Sequence, residues 1–179
     1  MKKIHVLLLL FMIFAEIIFA QAYLGYPTTT VNFRAEPNIN SQILSALSID
    51  EPLFITSKDR TNGFYFVIHI ELNTEGYVHS DYINLIGEVP ENEEGIFTPM
   101  SKTQSYNSTL SVLNDTNLEL TLTLNQKRYL FEPKQKRDIT LTPGNYSYRA
   151  SAPGVLPDYG KETIQSNYEY EWTFYIIRR

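Results

Sequence analysis

Leu118, Leu120, Leu122 and Leu124 fall on one side of an extended chain with Glu119, Thr121 and Thr123 on the other, the alternation of a strand with one buried and one wet face. Branched and aromatic residues predict further strands at 28–33, through Ile43, Ala46 and Leu47, at 53–56 and at 128–132. Others follow through Ile139 and Leu141, through Tyr146, Tyr148 and Ala150, and at 168–177. Turn-forming residues separate them: 37–41, Asp50-Glu51-Pro52, Asn62-Gly63, 71–76, Asn125-Gln126-Lys127 and Pro143-Gly144. No helical spacing interrupts the first half. The fold class expected is all-β, a small barrel followed by a small antiparallel β-sandwich of five or six strands.

Two stretches depart from simple alternation. In 64–70, Tyr65, Val67 and His69 share one face and Phe64, Phe66, Ile68 and Ile70 the other, so both faces are apolar or aromatic. A barrel strand with a wet outer side would carry polar residues there, so the outer face is expected to be covered by the second domain or by a partner. In 151–160, Pro153 and Pro157 stiffen a segment whose Val155, Leu156 and Tyr159 need burial. It reads either as a ligand-contacting loop or as a plug over the open end of the sandwich. The stripe Tyr168, Tyr170, Trp172, Phe174 and Ile176 reads either as core or as a stacking platform for sugar rings.

The N-terminus sets the compartment. Lys2 and Lys3 precede an apolar run from Val6 to Phe14, continued by Ala15, Ile17, Ile18 and Phe19, and Ala20-Gln21-Ala22 supplies the small residues of a cleavage site. Glu16 interrupts a run already shorter than the ~20 apolar residues of a bilayer span. Residues 1–22 are read as a signal peptide cleaved after Ala22, 23–87 as the barrel, 88–108 as an acidic and polar linker, and 109–179 as the sandwich. The product is expected to be exported, periplasmic or extracellular, and not membrane-spanning after cleavage. Cysteine is absent, so no disulfide and no lipid anchor on a thiol is available.

The formal charge of −5 becomes −6 when Lys2, Lys3 and Glu16 leave with the leader. That balance leaves no basic footprint for nucleic-acid phosphates. Catalytic chemistry is equally thin. Only His69 and His79 remain after the leader, no thiol exists, and His79-Ser80-Asp81, although it holds the residue types of a triad, cannot converge from adjacent positions. It reads as a turn. No zinc-binding spacing and no phosphate-cradling glycine motif occurs, and the carboxylates concentrate in the linker. The chain is expected to be a non-enzyme with no cofactor and no metal.

Val31-Asn32-Phe33-Arg34-Ala35-Glu36-Pro37, Gly63-Phe64-Tyr65 and Gly76-Tyr77-Val78-His79 with Tyr82-Ile83 together resemble the bacterial SH3-like domain. Asn32 and Arg34 match its Asn-x-Arg, Pro37 its turn proline, and 76–83 its last strand and following helical turn. Glu36 stands where the family has Gly, and Phe64 where it has a Trp that often contributes to the ligand surface. The resemblance implies a binding module for a cell-envelope ligand, either a cell-wall peptide or an envelope protein. An extended peptide would lie between the 37–41 and 58–64 loops against Arg34, Phe64, Tyr65 and Tyr82. From the residues alone, Arg34 reads more simply as a partner of Glu36 or Asp81, and Gly76 as a turn glycine at positive φ. A structural or assembly component, oligomeric through its apolar strand faces, is the second expectation. Carbohydrate binding by the C-terminal domain is the third.

Overall fold

The structure, a computed structural model, describes residues 21–176. Residues 1–20 of the expected leader lie outside the described residues. The chain is all-β. Its first half comprises β1 (Ala22–Pro27), β2 (Val31–Arg34), β3 (Ile43–Leu47), β4 (Leu53–Ile55), β5 (Phe64–His69), β6 (Thr74–His79) and β7 (Ile83–Val89), with one 3-10 turn at Ser80–Tyr82. These seven strands form one sheet in the order β3-β2-β6-β5-β4-β1-β7, every neighbouring pair antiparallel. Its core draws Phe33, Leu47, Leu53, Ile55, Val67 and Val78 from five strands, all of them buried. No second sheet contributes to that cluster. A face that is dry without a covering layer must be covered by its own sheet, so the sheet curls around its core.

Local chemistry explains the turns. Asn62 and Gly63 both hold positive φ, 51° and 84°, and Thr61 and Phe64 exchange backbone hydrogen bonds of 2.9 Å around them, the two-residue reversal expected there. Gly76 is different. It lies inside β6 and is absent from the positive-φ positions; a Cβ there would stand 2.5 Å from the Phe33 ring and 2.6 Å from the Arg34 carbonyl oxygen. Close approach of β2, not turn geometry, requires a glycine.

β1 carries no sequence signal, because Gly25 and Pro27 break its alternation. It nevertheless sits inside the sheet, between β4 and β7. Ala22, read above as the last leader residue, is its first residue, paired with Val89 and buried.

The second half comprises β8 (Thr98–Lys102), β9 (Ser108–Asn114), β10 (Leu120–Leu124), β11 (Lys127–Phe131), β12 (Lys136–Leu141), β13 (Gly144–Ala152), β14 (Val155–Ile164) and β15 (Tyr168–Phe174). They make two four-stranded sheets, β11-β10-β13-β14 and β12-β9-β15-β8. Leu110, Val112, Tyr170 and Phe174 of one sheet meet Leu120, Leu122, Ala150 and Ile164 of the other in a single buried cluster that also takes Phe97. Burial of that cluster holds the two sheets together.

Three features lie outside the alternation read from the chain. β8 falls within 88–108 as a fully exposed edge strand on β15, and needs no apolar face to pair there. The 151–160 segment is no loop: it closes β13 and runs out as β14, the edge of its sheet, where Pro157 costs no interior ladder bond. β15 pairs parallel to β9, the one parallel strand pairing among the described residues. The stripe Tyr168, Tyr170, Trp172 and Phe174 packs in or against the core.

Candidate functional site

The residues singled out by sequence do not form one groove. Phe64 is only 3% exposed and stands edge-on to His79, with ring centroids 5.0 Å apart. Tyr82, 45% exposed, lies 5.7 Å from the same imidazole, so Phe64 and Tyr82 are joined through His79. Tyr65, the next residue along β5, belongs to the opposite face and packs on the inner core. Arg34 donates from Nη1 to the Ser41 carbonyl at 2.9 Å, where pairing with Glu36 or Asp81 was expected, and so ties the 35–42 loop shut. The proposed walls are themselves joined, since Asn62 Nδ2 donates to the Pro37 carbonyl at 3.2 Å. His79-Ser80-Asp81 is a turn in which His79 Nδ1 accepts the Asp81 N–H at 3.4 Å. His69, buried, has its Nε2 3.2 Å from Glu51 Oε2.

The second half covers the outer face of β5 only at its end, around Ile68, whereas Phe64 and Phe66 meet His79 and Tyr77 of β6. Ile68 and Ile70 join Phe54, Ala22 and Val89 in a cluster closed from the other side by Tyr159 of β14, whose ring meets Phe54 edge-on at 5.7 Å. The Tyr159 hydroxyl donates to the Val89 carbonyl at 2.7 Å and accepts from the Ala22 N–H at 3.2 Å and Gln21 Nε2 at 3.1 Å. A buried tyrosine needs such partners, and these come from the start of β1 and the end of β7, which pair with each other there. Nearby, Asn92 donates its N–H to the Tyr159 carbonyl at 2.9 Å, and Gly154 donates to the Ile70 carbonyl at 2.9 Å.

Beyond that apolar end the seam turns polar. Pairing across β11, β10, β13 and β14 aligns Arg128, Thr123, Arg149 and Tyr159 in one row facing the first half. Glu75 of β6 receives both guanidinium groups, Arg149 on Oε1 and Arg128 on Oε2. One row on, Asn73 Nδ2 donates to Thr121 Oγ1 at 3.2 Å. Thr121 is therefore 7% exposed, although alternation gave it a wet face.

Between these ends lies a half-open cavity of about 190 Å³, mainly apolar, with Ala22, Phe54 and Thr56 on one side and Thr123, Arg149 and Tyr159 on the other. Arg149 Nε and Thr123 Oγ1 are enclosed in its wall without a hydrogen-bond partner. Burial, then the neighbouring Arg128 charge, pushes the Arg149 pKa down to about 10. It stays cationic at neutral pH, in surroundings that disfavour its charge.

A separate acidic group lies on the sandwich side. Glu162 accepts the N–H groups of Ile96 and Phe97, the latter at 2.8 Å, and burial raises its pKa and that of Asp158. Burial also raises the Tyr148 hydroxyl, with the Asp158 charge adding to the effect. Among the described residues no cluster of His, Asp and Glu is placed to hold a metal ion, and no helix is long and apolar enough to cross a membrane. No protein-family model, curated protein or solved structure matches the chain.

Proposed function

We propose that the chain is an exported, non-catalytic recognition protein that holds a cell-envelope ligand in the cleft between an SH3-like first half and the sandwich. Export rests on the basic start, apolar run and Ala20-Gln21-Ala22 of the leader. The observation that carries the binding reading is the cavity itself. Both halves build it, its lining is mainly apolar, and one under-compensated arginine faces it, the combination typical of a small-ligand site.

Sedimentation with purified cell envelopes tests this. The wild-type protein is expected to pellet, Arg149→Met to stay in solution, and Tyr82→Ala to pellet as wild type. Release by Tyr82→Ala with retention of Arg149→Met would move the site to the rim around His79.

Assembly is the second reading, favoured by one feature. β3 is a free edge strand, and Ile39, Ile43 and Leu44 on and beside it are exposed, Ile39 at 69%. An oligomer in light scattering that Ile43→Lys dissolves, without envelope binding, would select this reading.

A further inference from the structure

We infer that the cleft takes a small monocarboxylate with a compact apolar body, either a free acid or the C-terminal residue of a peptide, its carboxylate on Arg149 and its body against Phe54 and Tyr159. This rests on the cleft being the ligand site and adds the chemical class.

Charge is the first argument. Glu75 is shared by Arg128 and Arg149, so one carboxylate faces two cations and the wall keeps one positive charge in excess. Arg149 is the deeper of the two, its side chain 18% exposed against 49% for Arg128. A desolvated cation without a full counter-charge is stabilised by an anion that replaces lost water.

Donors are the second. Arg149 carries five N–H groups in a planar fork that suits a carboxylate. Among the described residues its hydrogen-bond partner is Glu75, reached through Nη2, and the Nε donor and the Thr123 hydroxyl beside it are unbonded. Thr123 is the cross-strand neighbour of Arg149, so both groups serve one acceptor if the guanidinium is drawn towards the cavity.

Size is the third. The cavity of about 190 Å³ is somewhat larger than the roughly 150 Å³ that admits benzene, so it fits one side chain and its carboxylate. An extended peptide is too long to be enclosed. A phosphate would bring more negative charge than the single excess cation meets. Phe54 and Tyr159 supply the apolar contact for the ligand's body.

The experiment is an NMR titration of the secreted, nitrogen-labelled protein with three probes: 4-methylpentanoate, N-acetyl-glycyl-leucine, and the C-terminal amide of that dipeptide. Saturable shifts at Thr123, Ser147 and Arg149 are expected with at least one acid, and binding at least tenfold weaker with the amide. Response to the fatty acid alone marks a free-acid site, and response to the peptide acid alone marks a chain end; both support the inference. Thr123→Val, nearly isosteric, is expected to weaken binding several-fold while leaving the spectrum otherwise folded, and Arg149→Met to abolish it. Equal binding of amide and acid overturns the inference, as does the absence of saturable shifts up to about 50 mM, well beyond a millimolar affinity. If the acids fail while envelope sedimentation still depends on Arg149, only the carboxylate assignment falls; if both fail, the cleft is not the site.

Discussion

The two ends of the seam between the halves are built from opposite chemistry. Around Tyr159, Ala22, Phe54, Ile68, Ile70 and Val89 exclude water, and the tyrosine hydroxyl satisfies the Ala22 N–H and the Val89 carbonyl. Around Glu75 the partners are Arg128, Arg149, Asn73 and Thr121, and two polar groups are left without partners. Apolar burial is non-directional and holds the halves together; the charged end fixes their angle but contributes little net energy. The cleft opens where the two regimes meet, and there an added ligand completes a partly satisfied network rather than disrupting a dry core.

Removing each end separately tests that division. Tyr159→Ala deletes a buried ring and three hydrogen bonds, and is expected to cost about 3–5 kcal/mol, read as a lowered urea midpoint with the sandwich and curled sheet losing their shared transition. If the two halves still melt together with unchanged midpoint, the apolar end is not what joins them. Glu75→Gln leaves Arg149 desolvated and unpaired. Because the three side chains are partly exposed, the loss is expected to be about 1–3 kcal/mol, and the wild type, but not the variant, should lose stability with added salt.

A chain starting at Tyr23 in place of Gln21 loses the Ala22 and Gln21 bonds to Tyr159 and is expected to be about 1–2 kcal/mol less stable. Equal melting of the two would show that the start of β1 contributes nothing. The smallest effect concerns pH. Burial raises the folded-state pKa of Asp158, so its contribution is fully present below the ordinary carboxyl pKa and is lost as pH rises through the raised value. Asp158→Asn is therefore expected to melt slightly above wild type at pH 7 and level with it at pH 4, with calorimetry at both pH values as the check.

What could be read from the chain follows the same division. Two apolar faces on β5 announce that something covers it, since Ile68 and Ile70 would otherwise meet water. The Asn62-Gly63 turn and the leucines of β10 also declare themselves. The polar end does not. Thr121 and Thr123 beside leucines, or Ser147, Arg149 and Ser151 between Tyr146, Tyr148 and Ala150, look the same whether solvent or Glu75 faces them. Alternation records which side of a strand is apolar, not what lies against the other side. β1, β8 and β14 were hidden because Gly25, Pro27, Pro99 and Pro157 break the pattern that pairing partners later override. Arg34 and Tyr65 drew attention through the SH3-like pattern, while Arg149 has no motif around it.

β15, the last strand among the described residues, occupies an interior place between β9 and β8, and β1, the first of them, lies between β4 and β7. The keystone of the second sheet is therefore made after every other strand of the sandwich. Until then β8 and β9 have no common neighbour, and the sandwich cannot close behind an emerging N-terminus. Such a layout makes closure of the sandwich wait on its last-made strand, so its core forms late through contacts distant in sequence.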